Sequence, residues 1–339
     1  MIASLGEILL RFTPPDHGMI QQMGSYDVNF GGSEANVAIS LANFKIPTRF
    51  ISALPDNDLG KAAMFELSKF RVDTNHVIVK GNKMGLYFVE QGSSIRRSKV
   101  IYDREHSAFA KLTKSDLDWD HVFDGVDWFH WSGISPAVSS NCAEVCLEAV
   151  KKAVELGIPI STDMNFRSSL WGYGKNPKDI MPELLQHTSL LLGDPKSLEI
   201  MAGIKNPFRG DIKEQLDQLP DYYDMVFTQF PKLKYISTSL RTIINDTHHK
   251  WMGVIYDGKK LYISTEYDLY PLVDRVGGGD AFMAGLVYGS VKFDDPQKTI
   301  DFATAASGIK HTISGDFNLV SVNEIMELLE TGGRGNISR

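Results

Sequence analysis

The sequence of 339 residues predicts an α/β protein, in which a central, mostly parallel sheet is flanked by helices and a small β-sheet is inserted near the N-terminus. Three observations favour this fold. From about residue 109, short apolar strand segments alternate with amphipathic helical segments, which is typical of a parallel sheet covered by helices. Two earlier stretches, at about 9–31 and 84–106, interrupt that pattern. A run of three glycines opens a helix at residue 280, as at many ligand sites of α/β proteins. We therefore predict one domain, residues 1–339.

Each predicted element has its own signal. Residues 1–8 carry no basic start and indicate a first strand rather than a targeting peptide. Segment 142–156 has apolar residues at helical spacing and is followed by Gly157, which ends helices. Asp257-Gly258 marks the turn of a hairpin over 251–264. The other predicted strands are 128–131, 158–163, 189–192, 225–228 and 235–238, and the other predicted helices are 179–186, 280–291, 296–311 and 322–329.

The two inserted stretches predict a small antiparallel sheet. Residues 9–30 are turn-rich with weak strand signals, whereas 85–104 alternate polar and apolar residues around a turn at 91–94. Tyr102 and Arg104 lie two apart and share a face. An aromatic and cationic face suits a small anionic polyol, although ordinary cross-strand packing would also explain it. Such a sheet is poorly stable alone, so we expect it to cover a site, pair with another subunit, or both.

Composition excludes several function classes. The net charge of −7 argues against nucleic acid as a partner, so an anionic substrate needs local Arg or Lys residues. No apolar run reaches the roughly 18 residues of a membrane helix, so we expect no membrane association. Cys142 and Cys146 share one face of a predicted helix, which favours core packing and a reduced, cytoplasmic protein.

The segment 274–285 is the most informative motif. Gly277, Gly278 and Gly279 allow consecutive N–H groups to converge, and a helix starting at Asp280 adds the positive end of its dipole. The result is an anion hole with a carboxylate at its rim, suited to taking a proton from a hydroxyl during phosphoryl transfer. The alternative is a glycine turn in which Asp280 only caps the helix.

Two further segments carry candidate site residues. Gly31-Gly32-Ser33 opens a second helix without the dinucleotide spacing, and Asn36 on its first turn suits sugar hydroxyls; a plain tight turn is the alternative. Arg167 follows a predicted strand, where it can grip a carboxylate or phosphate, or else form a surface ion pair. A Walker A near match at 253–260 is rejected, because it lacks the final Ser or Thr and the following helix.

On these segments the chain resembles the ribokinase/PfkB sugar kinases over nearly its whole length, and among them the 2-keto-3-deoxygluconate kinases. The resemblance rests on 31–38, 102–108, 165–167 and 274–285. It implies a ribokinase-like fold with a β-sheet lid that often forms a dimer interface, hence a homodimer. It also implies ATP- and Mg²⁺-dependent phosphorylation of a terminal hydroxyl of a sugar acid, 2-keto-3-deoxygluconate to its 6-phosphate. A monovalent cation requirement is left open.

The resemblance also implies roles for individual residues. Asp280 is the catalytic base, with Gly277, Gly278 and Gly279 as the anion hole. Asp194 is the candidate Mg²⁺ ligand. The implied substrate-binding residues are Gly32, Ser33, Asn36, Tyr87, Tyr102, Arg104, Ile134, Arg167 and Asp316, and the implied nucleotide-binding residues are Asp194, Ser239, Arg241, Gly258, Gly277, Gly279 and Ala306.

Two alternatives stay open, and one of them rests on a departure from the family. The family's Asn-x-x-Glu element is represented by Asp194 and Ser197, which removes an acid expected to organise Mg²⁺. A catalytically weak sugar-binding protein is therefore one alternative, and a kinase for a neutral sugar such as fructose or ribose is the other. Arg104 and Arg167 together favour an acidic sugar, since a neutral one does not need two guanidinium groups. We further expect the helix dipole to keep Asp280 ionised, with an ordinary low pKa.

Overall fold

The computed structural model describes residues 1–22 and 24–332. The strands of this part of the chain are β1 (Ile2–Leu5), β2 (Leu9–Thr13), β3 (Asp27–Gly31), β4 (Thr48–Leu54), β5 (Val77–Val79), β6 (Leu86–Glu90), β7 (Lys99–Asp103), β8 (Trp128–Ser132), β9 (Ile160–Asp163), β10 (Leu190–Leu192), β11 (Tyr235–Asn245), β12 (His248–Tyr256), β13 (Leu261–Ile263) and β14 (Tyr267–Leu269). The helices are α1 (Ser33–Asn43), α2 (Asp58–Lys69), α3 (Trp119–Val122), α4 (Ser135–Val138), α5 (Ser140–Glu155), α6 (Pro177–Leu185), α7 (Pro195–Ala202), α8 (Leu219–Gln229), α9 (Gly278–Lys292), α10 (Pro296–Lys310) and α11 (Val322–Thr331).

The main sheet has the strand order β13-β12-β11-β10-β9-β8-β1-β4-β5, with β14 paired to β12. All pairs from β11 through β5 are parallel, whereas β12 runs antiparallel to β11, β13 and β14. The central sheet is therefore mostly parallel, which confirms the predicted fold class. Parallel strands bring their carboxyl ends to one edge, and the loops after β8, β9 and β10 meet there.

One predicted strand is wrong. Residues 225–228 belong to α8, whose buried residues are Leu219, Tyr222, Tyr223 and Val226. These positions follow helical spacing over two turns. A window of four residues, three of them apolar, was too short to reveal that period, and Met225 is in fact exposed.

Helices cover the main sheet in two groups. Buried residues of α5, α6, α7 and α8 share one apolar cluster, and those of α1, α9 and α10 share another. Cys142 and Cys146 are free thiols buried in the first cluster, so the prediction of core packing is confirmed. No helix within the described residues is long and apolar enough to span a membrane.

The small sheet has the order β3-β2-β6-β7. Its two hairpins are antiparallel, but the central pair, β2 with β6, is parallel. The prediction of a wholly antiparallel sheet therefore needs correction: the chain leaves after β3, builds α1, β4, α2 and β5, and returns through β6 in the same direction as β2. The connection from β6 to β7 spans 91–98 and is longer than the predicted turn.

Candidate active site

A cavity of about 970 Å³ lies between the carboxyl edge of the main sheet and the small sheet. This is the position where parallel α/β sheets bind their ligands. Most of the residues predicted from the sequence line it: Gly32, Ser33, Asn36, Tyr87, Tyr102, Arg104, Ile134, Arg167, Asp194, Ser239, Arg241, Gly277, Gly279, Asp280 and Asp316.

Asp280 lies in the first turn of α9, and both of its carboxylate oxygens are held. Oδ1 accepts a hydrogen bond from Ser33 Oγ at 2.8 Å, and Oδ2 accepts one from Asn36 Nδ2 at 2.7 Å. Burial raises the pKa of this carboxyl group, and the two hydrogen bonds and the charge of Arg167 oppose the rise only in part. The expected ordinary low pKa is therefore wrong, because loss of water around the carboxylate outweighs the helix dipole.

The three glycines before Asp280 differ in their surroundings. Gly277 has φ of 81°, a left-handed conformation, and a Cβ there would overlap the Asp316 carbonyl oxygen. Gly278 donates its N–H to the Arg275 carbonyl at 3.4 Å and packs on His311. Gly277 and Gly279 line the cavity, but Gly278 does not. Two of the three residues predicted to form the anion hole therefore face the space a phosphate would need.

Helix α1, the second helix that begins after glycines, supplies the two side chains that hold the Asp280 carboxylate. Ser33 Oγ also accepts a hydrogen bond from Asn165 Nδ2 at 2.9 Å, so a short chain of polar groups leads to Asp280 from the end of β9. Asn36 Oδ1 accepts the Gly32 N–H at 3.3 Å. In this structure the polar atoms of Ser33 and Asn36 are occupied by these contacts, in addition to lining the predicted sugar pocket.

Arg104 and Arg167 have very different environments. Arg104 is buried and donates from Nε and Nη2 to Glu7 Oε2, at 2.9 and 2.6 Å. Arg167 is exposed to the cavity, and its Nη1 donates to the Phe166 carbonyl at 3.1 Å. The positive charge of Arg104 is thus largely balanced by Glu7, which the sequence analysis did not identify. Arg167 remains the arginine best placed to offer net charge to a ligand.

Two more arginines extend the positive wall beyond Arg167. Arg241 is open to the cavity, and its guanidinium carbon lies 5.1 Å from the centre of the Trp251 ring. The protein walls around the cavity remove part of the water around this guanidinium group. This desolvation, followed by the charges of Arg275 and Arg167, lowers the pKa of Arg241 to about 10, so the side chain stays protonated at neutral pH. Arg275 Nη1 lies 3.4 Å from Asp246 Oδ1. This wall is suited to several negative charges on one ligand.

Tyr87 and Asp316, both predicted to bind substrate, contact each other. The Tyr87 hydroxyl donates to Asp316 Oδ2, and Asp316 Oδ1 lies 3.1 Å from Arg11 Nη1. Both side chains are almost fully buried, although their edges reach the cavity. Arg11 itself was not predicted as a site residue. The available signal was the presence of one charged residue in the apolar run Leu9-Leu10-Arg11-Phe12, which belongs to a mostly buried strand.

Two buried acids near Asp280 were also missed. Glu34 Oε1 accepts hydrogen bonds from Ser132 Oγ at 2.7 Å and Ser135 Oγ at 2.8 Å, and burial raises its pKa to about 7. Burial and the charge of Asp280 raise the pKa of Asp163 to about 8. Three carboxyl groups thus share a poorly hydrated site, and they cannot all be ionised cheaply at neutral pH.

Asp194 caps helix α7. Its Oδ1 accepts from the N–H groups of Lys196 and Ser197 at 2.9 and 3.0 Å, and Oδ2 accepts from Ser197 Oγ at 2.7 Å. Across residues 1–22 and 24–332, no three His, Cys, Asp or Glu side chains are grouped to hold a metal by themselves. A cation beside Asp194 would therefore need oxygens from a ligand or water, as Mg²⁺ bound to phosphates does.

Two predicted nucleotide contacts lie away from the cavity lining. Ala306 is fully buried in α10, and Gly258 forms the β12–β13 turn beside Phe227. Ser307, next to Ala306, donates its hydroxyl to the Gly278 carbonyl at 2.7 Å. The contribution of α10 that the structure describes is thus to support the glycine turn from behind.

Comparison with known proteins agrees with this architecture. The family model of the pfkB family carbohydrate kinases matches residues 1–228. The 2-dehydro-3-deoxygalactonokinase of Haloferax volcanii is 25% identical over 335 residues, which are 98% of each chain. The 2-dehydro-3-deoxygluconokinase of Thermoproteus tenax is 25% identical, over 97% of this chain and 94% of that one. The crystal structure of 2-dehydro-3-deoxygluconokinase from Thermotoga maritima superposes with a TM-score of 0.91 at 37% identity, covering 97% of this chain and 99% of that one.

Proposed function

This chain belongs to the pfkB family of carbohydrate kinases, and from that premise we propose that it transfers the γ-phosphoryl group of ATP to the terminal hydroxyl of 2-keto-3-deoxygluconate, giving the 6-phosphate. The observation that carries the proposal is the buried Asp280 carboxylate beside the glycine turn, with Arg167 facing the same cavity. The names of the Thermotoga maritima and Thermoproteus tenax relatives support the choice of substrate.

Asp280 is proposed to accept the proton of the attacking hydroxyl. Ser33 and Asn36 each hold one of its oxygens, so the carboxylate is oriented before substrate arrives. Transition states of phosphoryl transfer are loose, and little proton transfer precedes bond formation. A pKa raised by burial brings the base closer to the operating pH, which favours proton uptake as the phosphate ester forms.

The same cavity fits ATP with Mg²⁺. Gly277 and Gly279 lie at the positive end of the α9 dipole, where backbone N–H groups stabilise phosphoryl oxygens. Arg241 and Arg275 add positive charge on the same side of the cavity. Asp194 would contact the metal or its waters, and Mg²⁺ would supply charge neutralisation on the phosphates.

Arg167 is proposed to bind the sugar-acid carboxylate, and Arg104 a hydroxyl. The Glu7–Arg104 pair limits the charge that Arg104 can offer, while its Nη1 is not among the atoms bonded to Glu7. This pair is also the specific observation that favours the second candidate, a kinase for a neutral sugar. A fructokinase from Zea mays is 25% identical to this chain over 97% of its length.

Two further parts of the proposal concern assembly and ions. We propose a homodimer formed through the outer face of the small sheet, where Val28 and Ile101 are exposed. Lateral burial of these side chains would also stabilise a sheet that is too small to be stable alone. A monovalent cation requirement is tested by replacing potassium with tetramethylammonium in the assay.

The proposed function is tested by measuring ADP release with ATP and Mg²⁺ on 2-keto-3-deoxygluconate, its galacto epimer, gluconate, fructose and ribose. Turnover of the keto-deoxy acids is expected, and Asp280→Ala should lower kcat by about 10²–10⁴-fold, the usual contribution of a general base. Sugar binding by that variant, followed by calorimetry, should persist. Turnover on fructose or ribose alone would retain the kinase and refute the acid substrate. Full activity of Asp280→Ala would refute the role of Asp280.

A further inference from the structure

A fully buried arginine connects the small sheet to the glycine turn. Arg11 lies in the middle of β2, with 1% of its surface exposed. Its Nη1 lies 2.8 Å from Asp274 Oδ2 and 3.1 Å from Asp316 Oδ1. Its Nε donates to Thr13 Oγ1 at 2.8 Å. A single guanidinium nitrogen therefore holds two carboxylates. Asp274 precedes α9 in the sequence, and Asp316 follows α10.

Both residues in turn hold the backbone around Gly277, Asp274 through its carboxylate and Asp316 through its main-chain carbonyl. Asp274 Oδ1 accepts the Val276 N–H at 3.0 Å, and Oδ2 accepts the Gly315 N–H at 3.2 Å. The Asp316 carbonyl packs so closely on Gly277 that no side chain fits between them. A movement of the Asp274 carboxylate or of the Asp316 main chain would therefore shift the turn that lines the cavity.

The network is balanced in charge. Lys310 is also buried, donates to the Ile313 carbonyl at 3.1 Å, and lies near Asp274 and Asp316. Two cations thus oppose two carboxylates in a space without bulk water. Buried ion pairs of this kind return little net stability, because desolvation offsets their attraction. Their geometric effect is therefore the better explanation of what they do here.

We propose that Arg11 is a positioning residue for phosphoryl transfer. By holding Asp274 and Asp316, it fixes the Gly277 turn against the nucleotide phosphates and links that turn to the sheet that covers the sugar. The inference rests on the proposed kinase function and names a residue that acts through its partners, since Arg11 does not line the cavity.

The test compares Arg11→Gln and Arg11→Lys with Arg49→Gln as a matched control. Arg49 is also ion-paired, with Nε 2.9 Å from Asp73 Oδ2, and it lies outside the cavity lining. We expect Arg11→Gln to lower kcat by about 100-fold and to raise the KM for ATP, since misplacing a catalytic group by about 1 Å costs that much. The KM for the sugar acid should rise less than the KM for ATP, because the turn that Arg11 fixes faces the nucleotide phosphates. Arg11→Lys should recover at least about tenfold in kcat, because one nitrogen contacts both carboxylates.

Two results would overturn the proposal. One is that Arg11→Gln lowers kcat no more than Arg49→Gln does, while the melting temperatures of the two variants fall by similar amounts. The other is a sugar-acid KM that rises as much as the ATP KM. If Arg11→Gln does not fold, Asp274→Asn takes its place, because the amide keeps an acceptor for the Val276 N–H; an unchanged kcat would then count against the proposal.

A nucleotide-binding readout separates this inference from the proposed function. If the native protein phosphorylates none of the sugars, the proposed function fails. The melting-temperature increase caused by the non-hydrolysable analogue AMP-PNP with Mg²⁺ then tests Arg11. A smaller increase in Arg11→Gln than in Arg49→Gln supports the positioning role, and equal increases refute it.

Discussion

Adding one methyl group to Gly277 should destabilise the protein, whereas adding one to Gly279, two residues further on, should stabilise it. Gly277 adopts φ of 81°, and a Cβ there would overlap the Asp316 carbonyl oxygen and lie 3.0 Å from its carbonyl carbon. Gly279 lies within α9, and apart from its chain neighbours and the backbone of its own helix no heavy atom of the described chain comes within 4 Å of the position of its Cβ. The two sites therefore receive the same chemical change in two different environments.

The size of each effect follows from these surroundings. A left-handed conformation costs an alanine about 1–2 kcal/mol, and overpacking against a fixed carbonyl costs about 1–3 kcal/mol. Gly277→Ala should thus lose roughly 2–5 kcal/mol of stability, or about 3–7 °C in melting temperature for a chain of this length. Gly279→Ala should gain about 0.5–1 kcal/mol, because alanine is the better helix former.

Activity should separate the two variants further. Relief of the Gly277→Ala overlap requires the turn or residue 316 to move by about 1 Å, which should lower kcat by about 100-fold. In Gly279→Ala the methyl group enters the cavity, so the KM for ATP should rise while the protein is slightly more stable. Scanning calorimetry and a coupled ADP assay measure both quantities. A Gly277→Ala variant with native kcat, or equal losses of stability in the two variants, would refute the description of this turn.

The remaining predictions concern charged groups. Replacing Arg167 by Leu should raise the KM for an acidic sugar far more than for a neutral one, whereas Arg104→Leu should also lower the melting temperature, because it leaves Glu7 buried without its cation. Equal kinetic effects on both sugars would contradict the role of Arg167. The folded protein keeps a proton on Asp163 up to about pH 8, whereas the unfolded chain releases it near 3.8, so the free energy of unfolding should fall as pH rises between these values. At about 1.4 kcal/mol per pH unit, Asp163→Asn should remove up to about 4 kcal/mol of the loss between pH 5 and pH 8, and urea titrations at these two pH values would measure it. An unchanged pH dependence in Asp163→Asn would contradict this role of Asp163 and place the source in the other buried acids of the site, Glu34 and Asp280.

Sequence reasoning reached the fold class because it depends on local signals, whereas most of the residues that line the cavity were implied by the resemblance to the sugar kinases. Strand and helix periods repeat within short windows, and the turn before Asp280 is marked by three consecutive glycines. Segment 225–228 was misassigned because its four residues, three of them apolar, fit either period, and only the two turns of α8 distinguish a helix from a strand.

The partners of the site residues were not predictable in the same way. Nothing in the sequence near Arg104 indicates that Glu7 balances its charge, because the two residues meet only in the folded chain. The same holds for Arg11 with its two carboxylates, and for the burial that raises the pKa of Asp280. A motif identifies a chemical group, but its ionisation depends on neighbours that are distant in sequence.

The contacts of Asp280 also bear on how the protein acquires activity during synthesis. Ser33 and Asn36 precede Asp280 by 247 and 244 residues, and Arg11 precedes Asp316 by 305. Closing loops of this length costs entropy that only the completed fold can offset, so these contacts should form late in folding. A nascent chain that has not yet emerged as far as α9 would lack both the base, Asp280, and the glycine turn before it. Sugar phosphorylation would then begin only after the first and last elements meet, so partly folded chains would not consume ATP.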